Sequence, residues 1–270
     1  MDAAKAKTAR RLIEVLEFFD DRNGQATVMD IARRFNRPQS STSELLAILV
    51  EMGLLYKDPS SRTFTPTPRA ALLGSMGQPA LIRDGRLCMM VERLRAETGL
   101  GAAVLGMVGL EAQVFGWAAG PASPTGSHPL AGGARTPLQE SVAGWLLLST
   151  LAPQRREGVL RRLRSEAPED RKFNPADIEA TVRACRDQSF AVGPAGFGAR
   201  TEMCAVLLPG EGGGQAMVLG LVFDAGAPVD VEALGALLRA AVQASVTGDE
   251  VVRLEDYRLR RGLGNGLRRA

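Results

Sequence analysis

From Lys5 to Asp20 the apolar residues Leu12, Ile13, Val15, Leu16 and Phe19 recur at helical spacing, with Lys7, Arg10, Arg11, Glu14 and Glu17 mostly opposite, and this pattern predicts a first helix. Thr27 followed by Asp30 fits a capping box in which Asp replaces the usual Glu. It opens a second helix that turns Met29, Ile31, Ala32 and Phe35 inward and Arg33 and Arg34 outward. Asn36 suits the left-handed conformation that turns a helix sharply, and Pro38 suits a first helical position. The third helix, Gln39 to Met52, has its apolar residues Leu45, Leu46, Ile48, Leu49, Val50 and Met52 in the far half, while the near half reads Gln39, Ser40, Ser41, Thr42, Ser43, Glu44. A helix buried only at its far end presents its near end to something else. Leu54 to Lys57 and Arg62 to Thr65, flanking Asp58-Pro59-Ser60-Ser61, predict a hairpin. The run Thr65-Pro66-Thr67-Pro68 is expected to stop that ladder, because proline lacks the donor.

Beyond the prolines the period stays helical. Arg69 to Gly77 reads as a short connecting helix, and Ile82 to Thr98 as one longer helix with Ile82, Leu87, Met90, Val91 and Leu94 as its stripe. After Gly99 the pattern becomes β: Ala102 to Val108 and Gln113 to Ala119 flank a turn at residues 109–112. Gly120 to Thr136, rich in Gly, Pro, Ser and Thr, reads as a loop. Helices are predicted at Gln139 to Leu151, Gln154 to Arg164 and Pro175 to Gln188, the last capped by Asn174. A second β pair, Met203 to Leu208 and Ala216 to Phe223, brackets Gly210 to Gly214, and a helix from Val231 to Val246 follows.

Composition narrows the chemistry. With 45% hydrophobic and 23% charged residues and no apolar run near the ~18 residues of a membrane span, the 270-residue chain has an ordinary globular composition and room for two cores. Lys5, Arg10 and Arg11 lead into an amphipathic helix and not an apolar signal core, so a cytoplasmic protein is expected. Cys88, Cys185 and Cys204 are widely spaced, and His128 is the sole histidine, so neither a disulfide framework, a metal site nor a histidine-based triad is signalled. Gly210 to Gly214 lacks the Lys-Ser/Thr of a phosphate loop and reads as a hairpin turn. No enzyme, cofactor or metal is expected. A net charge of +3 permits nucleic acid as a partner without requiring it.

Helix, tight turn, helix with a polar front edge, then a basic hairpin is the order of a winged helix-turn-helix that places a helix in a DNA major groove. Candidate DNA-binding residues are Arg33, Arg34, Arg37, Gln39, Ser40, Ser41, Ser43, Glu44, Lys57 and Arg62. Short hydroxyl and amide side chains let the helix approach base edges, whereas Lys57 and Arg62 stand where a wing meets phosphates. The competing readings are a solvated basic face for the arginines and simple capping for the serines. Acidic residues nearly match basic ones over the first 80 positions, so affinity has to come from where the charges lie. A stretch from Arg253 with Arg258, Arg260, Arg261, Arg268 and Arg269 offers nonspecific DNA attraction, a subunit contact or a disordered tail.

The chain resembles the IclR family of transcriptional regulators. In the first part the likeness is carried by Met29 to Pro38, Ser40, Leu45-Leu46 to Leu49 and Gly53-Leu54-Leu55; in the second, by Arg135-Thr136-Pro137-Leu138 with Gly144, and by Met203-Cys204-Ala205-Val206 to Pro209. It implies an α+β protein: a winged helix-turn-helix domain over 1–67, a linker helix over 68–80, a GAF- or PAS-like α/β effector-binding and oligomerisation domain over 81–248, and a basic tail over 249–270. It also implies a double-stranded operator, a small carboxylate or aromatic effector, and a homodimer or homotetramer. The strand of Cys204 resembles the one that carries a pocket cysteine in the family. Met107, Phe115 and Trp117, expected on one face of their hairpin, join Gln139, Ser141 and Cys204 as candidate effector residues, against the alternative that the aromatics and the cysteine are plain core. Three departures stand out. Glu44 occupies a position where the family commonly has a basic residue, so it either specifies a cytosine or is held by a nearby arginine. Gln139 replaces an aligned histidine, and Gly193-Pro194-Ala195-Gly196 stands where acidic residues are common. A nonspecific or architectural DNA binder is the alternative function.

Overall fold

The computed structural model describes residues 3–19, 24–75, 78–124, 132–197, 200–210 and 215–247, and they form two compact units that divide between Gln78 and Pro79. His128, the basic tail and most of the Gly210 to Gly214 turn lie outside the described residues.

The first unit contains α1 (Ala3–Phe18), α2 (Val28–Arg34), α3 (Gln39–Glu51), a hairpin of β1 (Leu55–Lys57) and β2 (Phe64–Pro66), and α4 (Pro68–Ser75). The capping box forms as expected: Thr27 Oγ1 accepts from the Asp30 amide, and the Asp30 carboxylate accepts from the Thr27 amide at 2.8 Å. Asn36 takes a left-handed φ of 48° between α2 and α3. Val15, Ile31, Leu46, Leu49, Leu55 and Phe64 share one core, so the turn is held by burial on both of its sides.

Pro66, expected to end the ladder, is inside it and pairs with Leu55. The hydrogen bonds explain why: Thr67 N–H donates to the Leu54 carbonyl at 3.0 Å and Asp58 N–H to Thr63 at 2.9 Å, so by antiparallel alternation Pro66 faces away from β1 and no donor is required of it. On that outer side Phe64 exchanges both of its backbone bonds with Ala26.

The second unit is a six-stranded antiparallel sheet with helices on both faces. Its strands are β3 (Gly101–Val108), β4 (Glu111–Ala118), β5 (Arg135–Pro137), β6 (Ala191–Pro194), β7 (Thr201–Leu207) and β8 (Met217–Asp224), in the order β5-β4-β3-β8-β7-β6. The two expected hairpins lie side by side through β3 and β8, with Ala102 opposite Leu221 and Leu105 opposite Val218. The edge strands β5 and β6 were not foreseen. They are three and four residues long, and Gly and Pro within them mask any β signal.

One face carries α7 (Val142–Ser149), α8 (Pro153–Glu166) and α9 (Pro175–Asp187), packed on Ala103, Leu105, Val114, Met203, Ala205 and Val222. The other carries α5 (Ala80–Arg83), α6 (Arg86–Thr98) and α10 (Val231–Thr247), packed on Ala102, Val104, Cys204, Val206, Leu219 and Leu221. The single helix expected from Ile82 to Thr98 is therefore two. Gly85, at φ 75°, turns the chain between α5 and α6, a conformation open to glycine without strain. Because the sheet is covered on both faces, β8 is buried from Met217 to Phe223 without alternation.

α8 is tied to α9 by Arg156, whose side chain is 7% exposed and donates to both Glu179 carboxylate oxygens, at 2.8 and 2.6 Å, and to the Leu151 carbonyl at 3.2 Å. The hydrogen bonds from Arg156 hold the Glu179 carboxyl below its ordinary value of 4.5. A depressed carboxyl contributes stability that is complete above the unfolded value and is lost as pH falls through the folded one. Glu179→Gln is expected to lower unfolding stability at pH 7 by roughly 1.5–3 kcal/mol in urea titrations. The gap to the wild type should narrow below pH 4.5, and an equal gap at both pH values would show that the charge of Glu179 contributes nothing.

Candidate nucleic-acid interface and effector face

The burial of α3 defines an outward face. Thr42, Leu45, Leu46 and Leu49 point into the core, and Ser40, Ser43, Glu44, Ala47, Ile48 and Glu51 stand exposed on the opposite side. Gln39 is exposed at the first turn. Pro38 precedes the helix as its cap residue, one position outside the first helical place expected for it. It offers no side-chain cap, which leaves first-turn amides for water or phosphate. The serines divide. Ser41 is half-buried and donates to the Pro38 carbonyl at 3.2 Å, as Thr42 does at 3.0 Å, whereas Ser40 and Ser43 are exposed.

Arg33 and Arg34 are exposed in the last turn of α2, where positive charge also complements the helix dipole. Arg37 is placed differently. Its guanidinium pairs with Glu14 of α1, lies 5.0 Å from the Phe35 ring centroid, and is 18% exposed. That geometry ties the turn to α1. Among the described residues no cation lies within ion-pair distance of Glu44, so the arginine-held alternative for Glu44 is not realised.

Lys57 and Arg62 are exposed on the hairpin, Lys57 Nζ lying 5.7 Å from the centre of the Phe64 ring. The loop between them is internally braced: the Asp58 carboxylate accepts from Ser60 N–H at 2.8 Å and from Ser60 Oγ at 2.7 Å, which brings its pKa down to about 2. Arg62 N–H donates to the Asp58 carbonyl at 3.0 Å, and Arg62 adopts a left-handed φ of 58°, uncommon for a residue with a Cβ. The bracing role of Asp58 was missed in sequence, although an Asp two residues before a Ser in a turn is a usable signal.

In the second unit the six candidate effector residues do not converge. Gln139 and Ser141 sit together at the start of α7: Ser141 Oγ accepts from Gly144 N–H at 3.1 Å, and the Gln139 carbonyl accepts from Trp145 Nε1 at 2.9 Å. Both are buried, and Gln139 Oε1 has no hydrogen-bond partner among the described residues. Thr136, from the Arg135–Leu138 motif but not among the candidate effector residues, donates to the Gly196 carbonyl at 2.5 Å and closes the segment after β6 over this corner. Met107 and Trp117 pack on the same sheet face as α7.

Phe115 does not share that face. The β3–β4 register shifts between Val104 and Leu105, so Val104 pairs with Gly116 and Leu105 with Val114, leaving Phe115 as the extra residue. Its ring fills the space a Cβ on Gly106 would occupy, on the side opposite Leu105 and Met107. Cys204 also lies on the opposite face, in the core of α6 and α10, with Sγ 3.9 Å from the Val231 carbonyl. Burial, reinforced by the Glu232 charge, pushes its thiol up to about 12, so the thiolate is not accessible near neutrality. Its neighbours Met203 and Ala205 are the residues of that strand that face α7.

Residues 8–59 match the IclR helix-turn-helix domain. Over that stretch the first unit is a helix-turn-helix domain of the IclR type. The fold is similar to those of an IclR homolog complexed with 4-hydroxybenzoate from Microbacterium hydrocarbonoxydans, at 20% identity and a TM-score of 0.57 over 89% of this chain and 98% of that one. It is also similar to Thermotoga maritima IclR, at 16% identity and 0.56 over 90% and 98%, and to the Agobacterium tumefaciens repressor BlcR, at 19% and 0.51 over 89% and 96%. No curated protein matches the chain. Among the described residues no helix is long and apolar enough to cross a membrane, and no cluster of His, Cys, Asp and Glu could hold a metal.

The different settings of the arginines lead to separable outcomes. Arg33→Ala or Arg34→Ala is expected to reduce the salt dependence of duplex affinity by about one counterion each without moving the thermal midpoint. Arg37→Ala is expected to lower the midpoint while leaving the salt slope unchanged. A reduced slope with an unchanged midpoint for Arg37→Ala would make it a phosphate ligand.

Proposed function

We propose that this protein is a regulator of the IclR family: cytoplasmic, homo-oligomeric and sequence-specific, its operator affinity set by a small molecule bound in the second unit. The observation that carries the reading is the free outward face of α3, polar along its near half and flanked in its own unit by the exposed cations Arg33, Arg34, Lys57 and Arg62. In this reading α3 enters the major groove of each half-site, the wing and α2 hold the flanking phosphates, and two copies match a palindromic operator. The effector is assigned to the α7 face of the sheet, where Gln139, Ser141, Met107 and Trp117 lie, and not to the faces of Cys204 and Phe115. The unpartnered, buried Gln139 Oε1 supports this choice, since a buried polar atom without a partner costs stability until a ligand or water completes it. The 4-hydroxybenzoate bound by the Microbacterium homolog supports small aromatic acids as the first compounds to try. A ligand shifts DNA affinity only by its differential affinity for the DNA-competent state, typically about 1 to 3 kcal/mol.

The test is twofold. The full-length protein is expected to bind duplex from its own upstream region about a thousandfold or more tighter than random duplex at moderate salt, the lower end of the specificity ratios of regulators. Equal affinity for both would overturn sequence specificity and favour an architectural binder. In a thermal-shift screen of small acids and aromatics, a compound at a hundredfold its Kd is expected to stabilise by about 2.7 kcal/mol, an effect that Gln139→Leu should weaken and Cys204→Ala should leave in place. The reverse pattern would move the effector to the other face of the sheet.

A further inference from the structure

Every polar group on the outward face of α3 is neutral or acidic. Ser40, Ser43, Glu44, Ala47, Ile48 and Glu51 are exposed there, and no Lys or Arg stands among them. Such a face carries no positive charge to pair with phosphate, so the cations of α2 and the wing have to supply the charge-based nonspecific affinity, and the face itself is left to read bases. Glu44 lies at the middle of that face, one turn after Ser40 and one turn before Ile48. Its carboxylate makes no ion pair among the described residues and accepts no hydrogen bond from its own helix.

We propose that Glu44 is the specificity-determining residue of this protein and selects a cytosine in each half-site. This rests on the reading that α3 enters the major groove. A carboxylate can only accept. Of the four bases, guanine offers acceptors N7 and O6, thymine offers O4 and a methyl group, and adenine sets its N6 donor beside the N7 acceptor, which repels the charge. Cytosine offers its N4 amino group with no acceptor next to it on the same base, and is the one base a carboxylate meets without repulsion. Ala47 and Ile48 follow on the same face, Ile48 at 48% exposure, and are apolar surfaces suited to a neighbouring thymine methyl. The negative charge also makes wrong sequences worse, because a groove edge of acceptors repels a carboxylate.

The test is selection of duplexes from a random pool by the full-length wild type, Glu44→Ala and Glu44→Gln, followed by affinity measurements on the wild-type consensus with each base at each position. A wild-type consensus with one cytosine per half-site is expected, replacement of that cytosine weakening binding about tenfold. Glu44→Ala should abolish the preference at that position alone, with the rest of the consensus intact. Glu44→Gln should turn it toward adenine, since an amide can donate to N7 and accept from N6. If both variants keep the wild-type consensus and bind every sequence more tightly, Glu44 only repels phosphate and the proposal is wrong. If the wild type enriches no sequence, the specific-regulator reading fails first and this proposal with it.

Discussion

The burial of Leu45, Leu46 and Leu49 against Ile31, Val15 and Phe64 is the contact on which the first unit depends. These residues occupy one side of a helix of 3.6 residues per turn, so burying them sets the rotation of α3 and thereby chooses which side chains face outward. The Thr27–Asp30 cap, the left-handed Asn36 and the Arg37–Glu14 pair fix where α3 starts and how it is inclined. None of these groups needs to touch a ligand. Together they hold a helix that is firmly anchored at its far end and open at its near end.

The second unit solves a different problem. A six-stranded sheet covered on both faces has two cores, and a residue's possible role depends on which one it enters. Side chains alternate along a strand, so a single residue separates the α7 face from the α6 and α10 face. Cys204 and Ala205 are neighbours in sequence and belong to different cores. Phe115 is displaced in the same way by one bulge in β4. The corner formed by Thr136, Gln139, Ser141 and Gly196 gathers buried polar groups beside α7, and this is the ground for the ligand site proposed there.

Charge tells a similar story. Arg33 and Arg34 remain exposed, Arg37 is spent on Glu14 and Phe35, and Arg156 is buried against Glu179. A guanidinium is charged in all of these settings, so residue type alone does not separate a phosphate ligand from a strut. What separates them is whether a carboxylate lies within reach, and for Arg37 and Arg156 the partner is 23 positions away along the chain.

Much of the fold was legible in the sequence because it rests on local rules. The capping box, Asn36 at a positive φ and Asn174 as a cap act over a few residues, and each appears where the pattern predicts it. The two central strand pairs were legible for the same reason, their apolar runs being bounded by glycine-containing breaks. The sequence by itself thus determined the winged helix-turn-helix and the mixed α+β class. It did not determine the edge strands β5 and β6, the break at Gly85, the place of Pro66 in its ladder, or the faces to which Phe115 and Cys204 turn. Those depend on pairing and register between segments distant in the chain, where one residue of shift exchanges one core for another, and only the assembled sheet decides it.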